Sequence, residues 1–109
     1  MKAAIYARFS SHNQREESIE GQVRACKRFA KEHGMTIVEI YADRGLSGLH
    51  ADNRPEFQRM IAECEAGYID IILTKSFSRF ARNTLDMLVT IRRLKELGIS
   101  VRFEKEGID

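Results

Sequence analysis

The side chains in this sequence best equipped for chemistry are hydroxyls set beside guanidinium groups. Arg8 and Ser10 stand two apart in YARFSS, so an extended chain points both the same way. A serine hydroxyl attacks only when its proton is removed or its developing charge is stabilised. The histidines are His12, His33 and His50. His33 adjoins Gly34 at a helix end and reads as a surface residue, and His12 and His50 lie in polar loops without an orienting carboxylate. An alkoxide at Ser10 stabilised by arginine is therefore the better route. Arg79 and Arg82, in SFSRFARNTLD, are three apart and share one face of a helical turn, with Phe77 and Phe80 on the other. Two forked guanidiniums on one face suit the paired oxygens of a phosphodiester and neutralise charge that builds during transfer. Arg54 precedes Pro55, which holds its neighbour extended and gives a third phosphate contact a fixed direction. Gln14, Gln22 and Ser78 are candidates for positioning a substrate, and Lys75 adds charge. Taken singly, each has a plainer reading: a strand end in solvent, a basic helix face, a loop glutamine, a surface glutamine.

Other chemistries lack their residues. No His, Cys and Asp residues fall at zinc-ligand spacing, and no glycine pattern of a nucleotide-binding loop occurs, since GLSG does not lead into a helix. A metal-dependent nuclease needs clustered acids at strand ends, which Asp43 and the loop residue Asp52 do not supply. No metal and no cofactor is expected.

The elements that must position these groups alternate. Ala3 to Arg8 reads as a buried strand, followed by a polar loop from Ser10 to Glu17. From Ser18 the residues Ile19, Val23, Cys26 and Ala30 recur at helical spacing, and Gly34 stops the helix. Thr36 to Ala42 is a β-branched and aromatic second strand. A loop from Asp43 to Arg54 leads to Pro55 at a helix start; Phe57, Met60, Ile61 and Cys64 give that helix its apolar face. Ile69 to Thr74 reads as the third strand. Asn83 caps a last helix with Asp86 in its first turn and Leu88, Ile91 and Leu94 as its inner stripe. Ile99 to Phe103 alternates as an edge strand does. This pattern predicts a single α/β domain, a mostly parallel sheet of four to five strands flanked by helices. In such sheets ligands bind beyond the carboxyl ends of the strands, where the strand order reverses. A sheet ordered 2-1-3 brings the segments after the first three strands over one crevice.

The 109 residues suffice for one domain, and 43% apolar content suffices for a core. Eighteen Lys and Arg against sixteen Asp and Glu leave a formal charge of +2, so any anion site must come from local clustering. AAIYA and IDIIL are the longest apolar runs, far too short to span a bilayer. With no signal-peptide pattern at the start and two cysteines on helix core faces, the sequence predicts a cytoplasmic location with free thiols. The chain runs out just after a strand, which predicts a segment of a longer protein.

YARFSSHNQ, YADRGLSG, NRPEFQRM and TKSFSRFARNTLD occur in that order. Together they resemble the catalytic domain of the serine recombinases, the resolvase/invertase family, from Ile5 to Gly107. The resemblance implies a flavodoxin-like resolvase fold with Ser10 as nucleophile, Arg8 beside it, Arg54 after the mobile loop, and Arg79 with Arg82 as the family's arginine pair. Gln14 and Gln22 match its active-site and helix-start glutamines. It further implies metal-independent cleavage and rejoining of double-stranded DNA at specific sites through a 5′-phosphoserine link. Homodimers, a synaptic homotetramer and a separate DNA-binding domain are implied likewise. Ser78 stands where small resolvases carry aspartate. In that respect, and in the SRFARN and YADRGLSG wording, the chain resembles the large, mobile-element branch. Two other classes are compatible with the residues: a receiver- or flavodoxin-like module binding a phosphorylated ligand, and a serine-based phosphoesterase. A receiver would need an acid pair where Arg8 and Ser10 stand.

Overall fold

The computed structural model describes residues 1–10, 18–45, 54–75 and 84–104. Seven elements follow in order: β1 (Lys2–Ser10), α1 (Ile19–Glu32), β2 (Thr36–Gly45), α2 (Pro55–Glu65), β3 (Ile71–Thr74), α3 (Thr84–Glu96) and β4 (Ser100–Phe103). The four strands form one sheet in the order β2-β1-β3-β4, every pairing parallel. The order contains the 2-1-3 arrangement that sets the ends of the first three strands side by side, with no fifth strand among the described residues.

The sheet divides the interior in two. Ala3, Ile5, Ile71 and Leu73 face Cys26 and Ala30 of α1. Ala4, Tyr6, Ile72, Val101 and Phe103 face Phe57, Met60 and Cys64 of α2 and Leu94 of α3. The alternation of strand side chains produces this division, because successive residues point to opposite faces. β1, central and covered on both faces, therefore carries an unbroken small or apolar run from Ala3 to Ala7, all fully buried.

Helix ends follow their local chemistry. Ser18 caps α1, its hydroxyl accepting from the Gly21 N–H at 3.1 Å. Gly34 and Gly98 end helices with φ of +66° and +78°, a conformation that costs glycine no steric clash.

Three expectations need correction. β1 and β2 run on to Ser10 and Gly45, so Asp43 lies in a strand rather than a loop; the parallel ladder continues through Arg8 opposite Asp43. β3 starts at Ile71 rather than Ile69, although Ile69 is buried. In α3 the inner side is Leu94, with Met87 and Ile91 partly covered, while Leu88 is exposed. A period of three drifts round a helix of 3.6 residues per turn, which carries Leu88 away from the sheet.

Both cysteines are buried, and no disulfide joins them. Burial, then the neighbouring Glu63 and Glu65 charges, push the Cys64 thiol up to about 12. Cys64 should therefore resist thiol reagents at about pH 8 in the folded protein and react at once after denaturation; mass-shift counting checks this, and rapid native labelling at Cys64 would contradict it.

Candidate active site

Residues at the carboxyl end of the sheet converge where the sequence places its chemistry. β3 pairs with β1 only as far as Tyr6 opposite Thr74, whereas β2 continues to Ser10. The last turn of β1, with Arg8 and the Ser10 backbone, thus passes the end of its β3 neighbour, next to the β1/β3 boundary where the strand order reverses.

Gln22 fills the resulting gap. It is fully buried rather than a surface residue. Its amide is bonded twice to one backbone residue: Oε1 accepts from the Arg8 N–H at 3.2 Å, and Nε2 donates to the Arg8 carbonyl at 2.9 Å. One donor and one acceptor replace the strand that has ended, satisfying backbone groups that would be costly to bury alone. Gln22 therefore holds Arg8 through its backbone. Gln22→Leu, of similar bulk, should destabilise the fold by about 2–4 kcal/mol by orphaning that donor and acceptor; a denaturant titration measures it, and an unchanged midpoint would refute the clamp.

Asp43 is the residue of this cluster whose place the sequence pattern did not show. Only 5% exposed, it accepts three hydrogen bonds. Oδ2 takes the Tyr6 hydroxyl at 2.7 Å and the Phe57 N–H at 3.1 Å, and Oδ1 takes the Glu56 N–H at 3.0 Å. It thus caps α2 from another element, its charge lying at the positive end of the helix. The cue is present in the sequence. Arg54 precedes Pro55 at the helix start, and an arginine at the cap has no acceptor to offer, so the open N–H groups must find one elsewhere. With these three donors engaged, Asp43 ties β2 to β1 and to the start of α2. Burial first, then the Asp43 bond and charge, raise the Tyr6 hydroxyl far above its ordinary range, with Arg54 and Arg8 opposing. Both guanidiniums are therefore close to this cluster.

Arg54 is held inside the fold. It is 6% exposed, its guanidinium lies 4.0 Å over the Phe57 ring, and Nη2 donates to Asp86 Oδ2 of α3 at 3.3 Å. Phe57 in turn meets Tyr6 edge-to-face at 5.2 Å. Lys75 follows β3, and its ammonium is 3.2 Å from the Glu104 carboxylate, so its charge is largely compensated locally. Gln14, Ser78, Arg79 and Arg82 lie outside the described residues. The structure therefore joins Arg8 to Gln22, ends β1 at the Ser10 backbone, and links Arg54 to Asp86 and, through Phe57, to Tyr6 and Asp43. No described helix is long and apolar enough to cross a membrane.

Comparison with known proteins places the chain in a family. The family model "Resolvase, N terminal domain" matches residues 3–109. A resolvase/recombinase of Pseudomonas putida is 31% identical over 99% of the chain and 54% of its own length. The transposon Tn3 resolvase of Escherichia coli is 34% identical over 99% of the chain and 52% of its own length. The chain thus spans about half the length of these curated relatives. Among solved structures, the N-terminal catalytic domain of TP901-1 integrase superposes with a TM-score of 0.87 at 29% identity, covering 100% of the chain and 81% of that domain. A resolvase family site-specific recombinase from Streptococcus pneumoniae gives 0.86 at 31% identity, covering 100% and 75%. The parallel sheet ordered β2-β1-β3-β4, the Arg8–Ser10 strand end and the family match over nearly every residue agree, and the chain belongs to the resolvase N-terminal domain family.

Proposed function

We propose that this chain is the catalytic domain of a serine site-specific DNA recombinase of the mobile-element type, within a longer protein that carries a separate DNA-binding domain. Ser10 is the nucleophile. Its Oγ attacks a backbone phosphorus in line; the Oγ–P bond forms as the bond from phosphorus to the 3′ oxygen breaks. The serine proton leaves with the attack, and the departing 3′ oxygen ends as a hydroxyl. Arg8, Arg79 and Arg82 bind the phosphate and balance its charge, Arg54 supports the catalytic end of the sheet, and Gln14 and Ser78 position the substrate. The phosphoserine ester conserves the bond energy, so the reverse attack by a 3′ hydroxyl reseals the DNA without a nucleotide cofactor. Double-stranded DNA at specific sites is the substrate, and homodimers pairing into a synaptic tetramer are the working assembly, as membership of this family suggests.

The observation that carries this reading is the position of Ser10. It ends the central strand, two residues beyond Arg8, beside the reversal of strand order. A nicked duplex bearing the recombination site tests it, because the nick lets one product drift away and traps the covalent complex. The intact protein should become linked to the 5′ phosphate, with peptide mapping placing the link on Ser10 and a free 3′ hydroxyl on the released strand. Cleavage without a protein–DNA link, or a link on another residue, would refute the assignment.

A further inference from the structure

We infer that Asp86 is a positioning residue: by neutralising Arg54 inside the fold, it fixes the start of α3 against the start of α2 at the catalytic end of the sheet. The inference rests on the recombinase reading above, and it changes what Arg54 does. A guanidinium 6% exposed, stacked at 4.0 Å on Phe57 and bonded to a carboxylate does not present a free face to DNA. It acts through what it holds.

An ion pair with side chains only 7% and 18% exposed is a poor source of stability, since desolvation offsets most of the attraction. What such a pair supplies is a unique geometry, because an arginine fork and a carboxylate meet in few orientations. The start of α3 needs that. Leu85, Leu88 and Val89 are 70%, 61% and 61% exposed, and the helix's one fully buried side chain, Leu94, comes eight residues after Asp86. Full burial therefore anchors α3 only at Leu94, while Met87 and Ile91 are partly covered, and Asp86 adds a fixed polar contact at the near end. On the other side, Arg54 is itself fixed. Its carbonyl accepts the first helical bond of α2, from the Gln58 N–H at 3.1 Å, and Asp43 caps the same turn. One chain of contacts thus runs from β2 through Asp43, α2 and Arg54 to Asp86. In the sequence, Arg82 precedes Asp86 by four residues, which links the start of α3 to the proposed phosphate-binding pair. Misplacement of about 1 Å in such a site costs on the order of 100-fold in rate.

The test compares the intact wild-type protein with Asp86→Asn, Asp86→Glu, Arg54→Ala and the Asp86→Asn/Arg54→Ala double variant. The probe is a library of nicked duplexes of randomised sequence. Rate of covalent adduct formation at saturating DNA, DNA affinity and amide exchange in α3 are the readouts. Asp86→Asn keeps the size and loses the charge, so it is the variant least prone to misfold. It should lower the saturating rate by about 10- to 100-fold with affinity unchanged, and Asp86→Glu should recover part of the rate. The double variant should be no slower than the slower single, the signature of two residues acting as a unit. Exchange in the first turns of α3 should quicken in Asp86→Asn while that around Leu94 stays put. A faster or tighter-binding Asp86→Asn would overturn the inference, showing a lock that phosphate must displace; an unchanged rate or multiplying losses would overturn it too. Failure of the recombinase reading shows separately, as a wild-type protein that forms no adduct at all, and the exchange pattern still decides whether Asp86 anchors α3.

Discussion

Ser10→Ala is expected to lower the rate of covalent adduct formation by at least about 10³-fold while leaving DNA affinity within a few fold of wild type. Nucleophiles removed from an otherwise intact site cause losses of this size, because binding and charge stabilisation survive without an atom to form the new bond. The split between rate and affinity follows from the geometry. Arg8 is placed by its backbone, through β2 on one side and the Gln22 amide on the other, and neither depends on the Ser10 hydroxyl. Detergent-resistant adduct counted over time gives the rate, and a gel-shift titration gives the affinity. An alanine variant that still formed adduct would move the nucleophile elsewhere, and one that lost affinity and rate together would mean that Ser10 serves binding.

Asp43→Ala is expected to cost about 3–5 kcal/mol of folding stability, the largest single loss from any described polar residue. The substitution leaves the Tyr6 hydroxyl and the Glu56 and Phe57 N–H groups without their acceptor, each buried or half-buried, at about 1–3 kcal/mol apiece. It also removes the negative charge at the start of α2. For a domain of this size that is a large share of the total and lowers the melting temperature by roughly 15–30 °C. Asp43→Asn keeps one acceptor oxygen and should fall between alanine and wild type. Thermal unfolding followed by circular dichroism measures all three. A loss below about 1 kcal/mol for alanine would mean that α2 caps itself some other way.

The fold was legible because its signals are local. Apolar runs bounded by glycine, a serine cap at Ser18 and a proline at the start of α2 each act over a few residues, and the alternation of strand and helix leaves few topologies. Arg8 and Ser10 were legible for the same reason, as neighbours on one strand. Gln22, Asp43 and Asp86 were harder, because each works on a residue distant in sequence. Gln22 reaches back to Arg8, Asp43 reaches forward to α2, and Asp86 reaches back across to Arg54. On a helix the apolar stripe is read from spacing, but a buried polar residue in that stripe looks like a surface one until its partner is known. Leu88 shows the converse: its type suits a core, and only the packing of α3 puts it outside.

The stepped upper edge of the sheet leaves the end of β1 with a strand partner on one side only. Ser10 lies four residues past Tyr6, where β3 stops, so its backbone stands about 13 Å beyond that level. β1 and β2 thus project beyond β3 as a two-stranded tongue, and the contacts of Gln22 with the Arg8 backbone and of Asp43 with the start of α2 brace it from two directions.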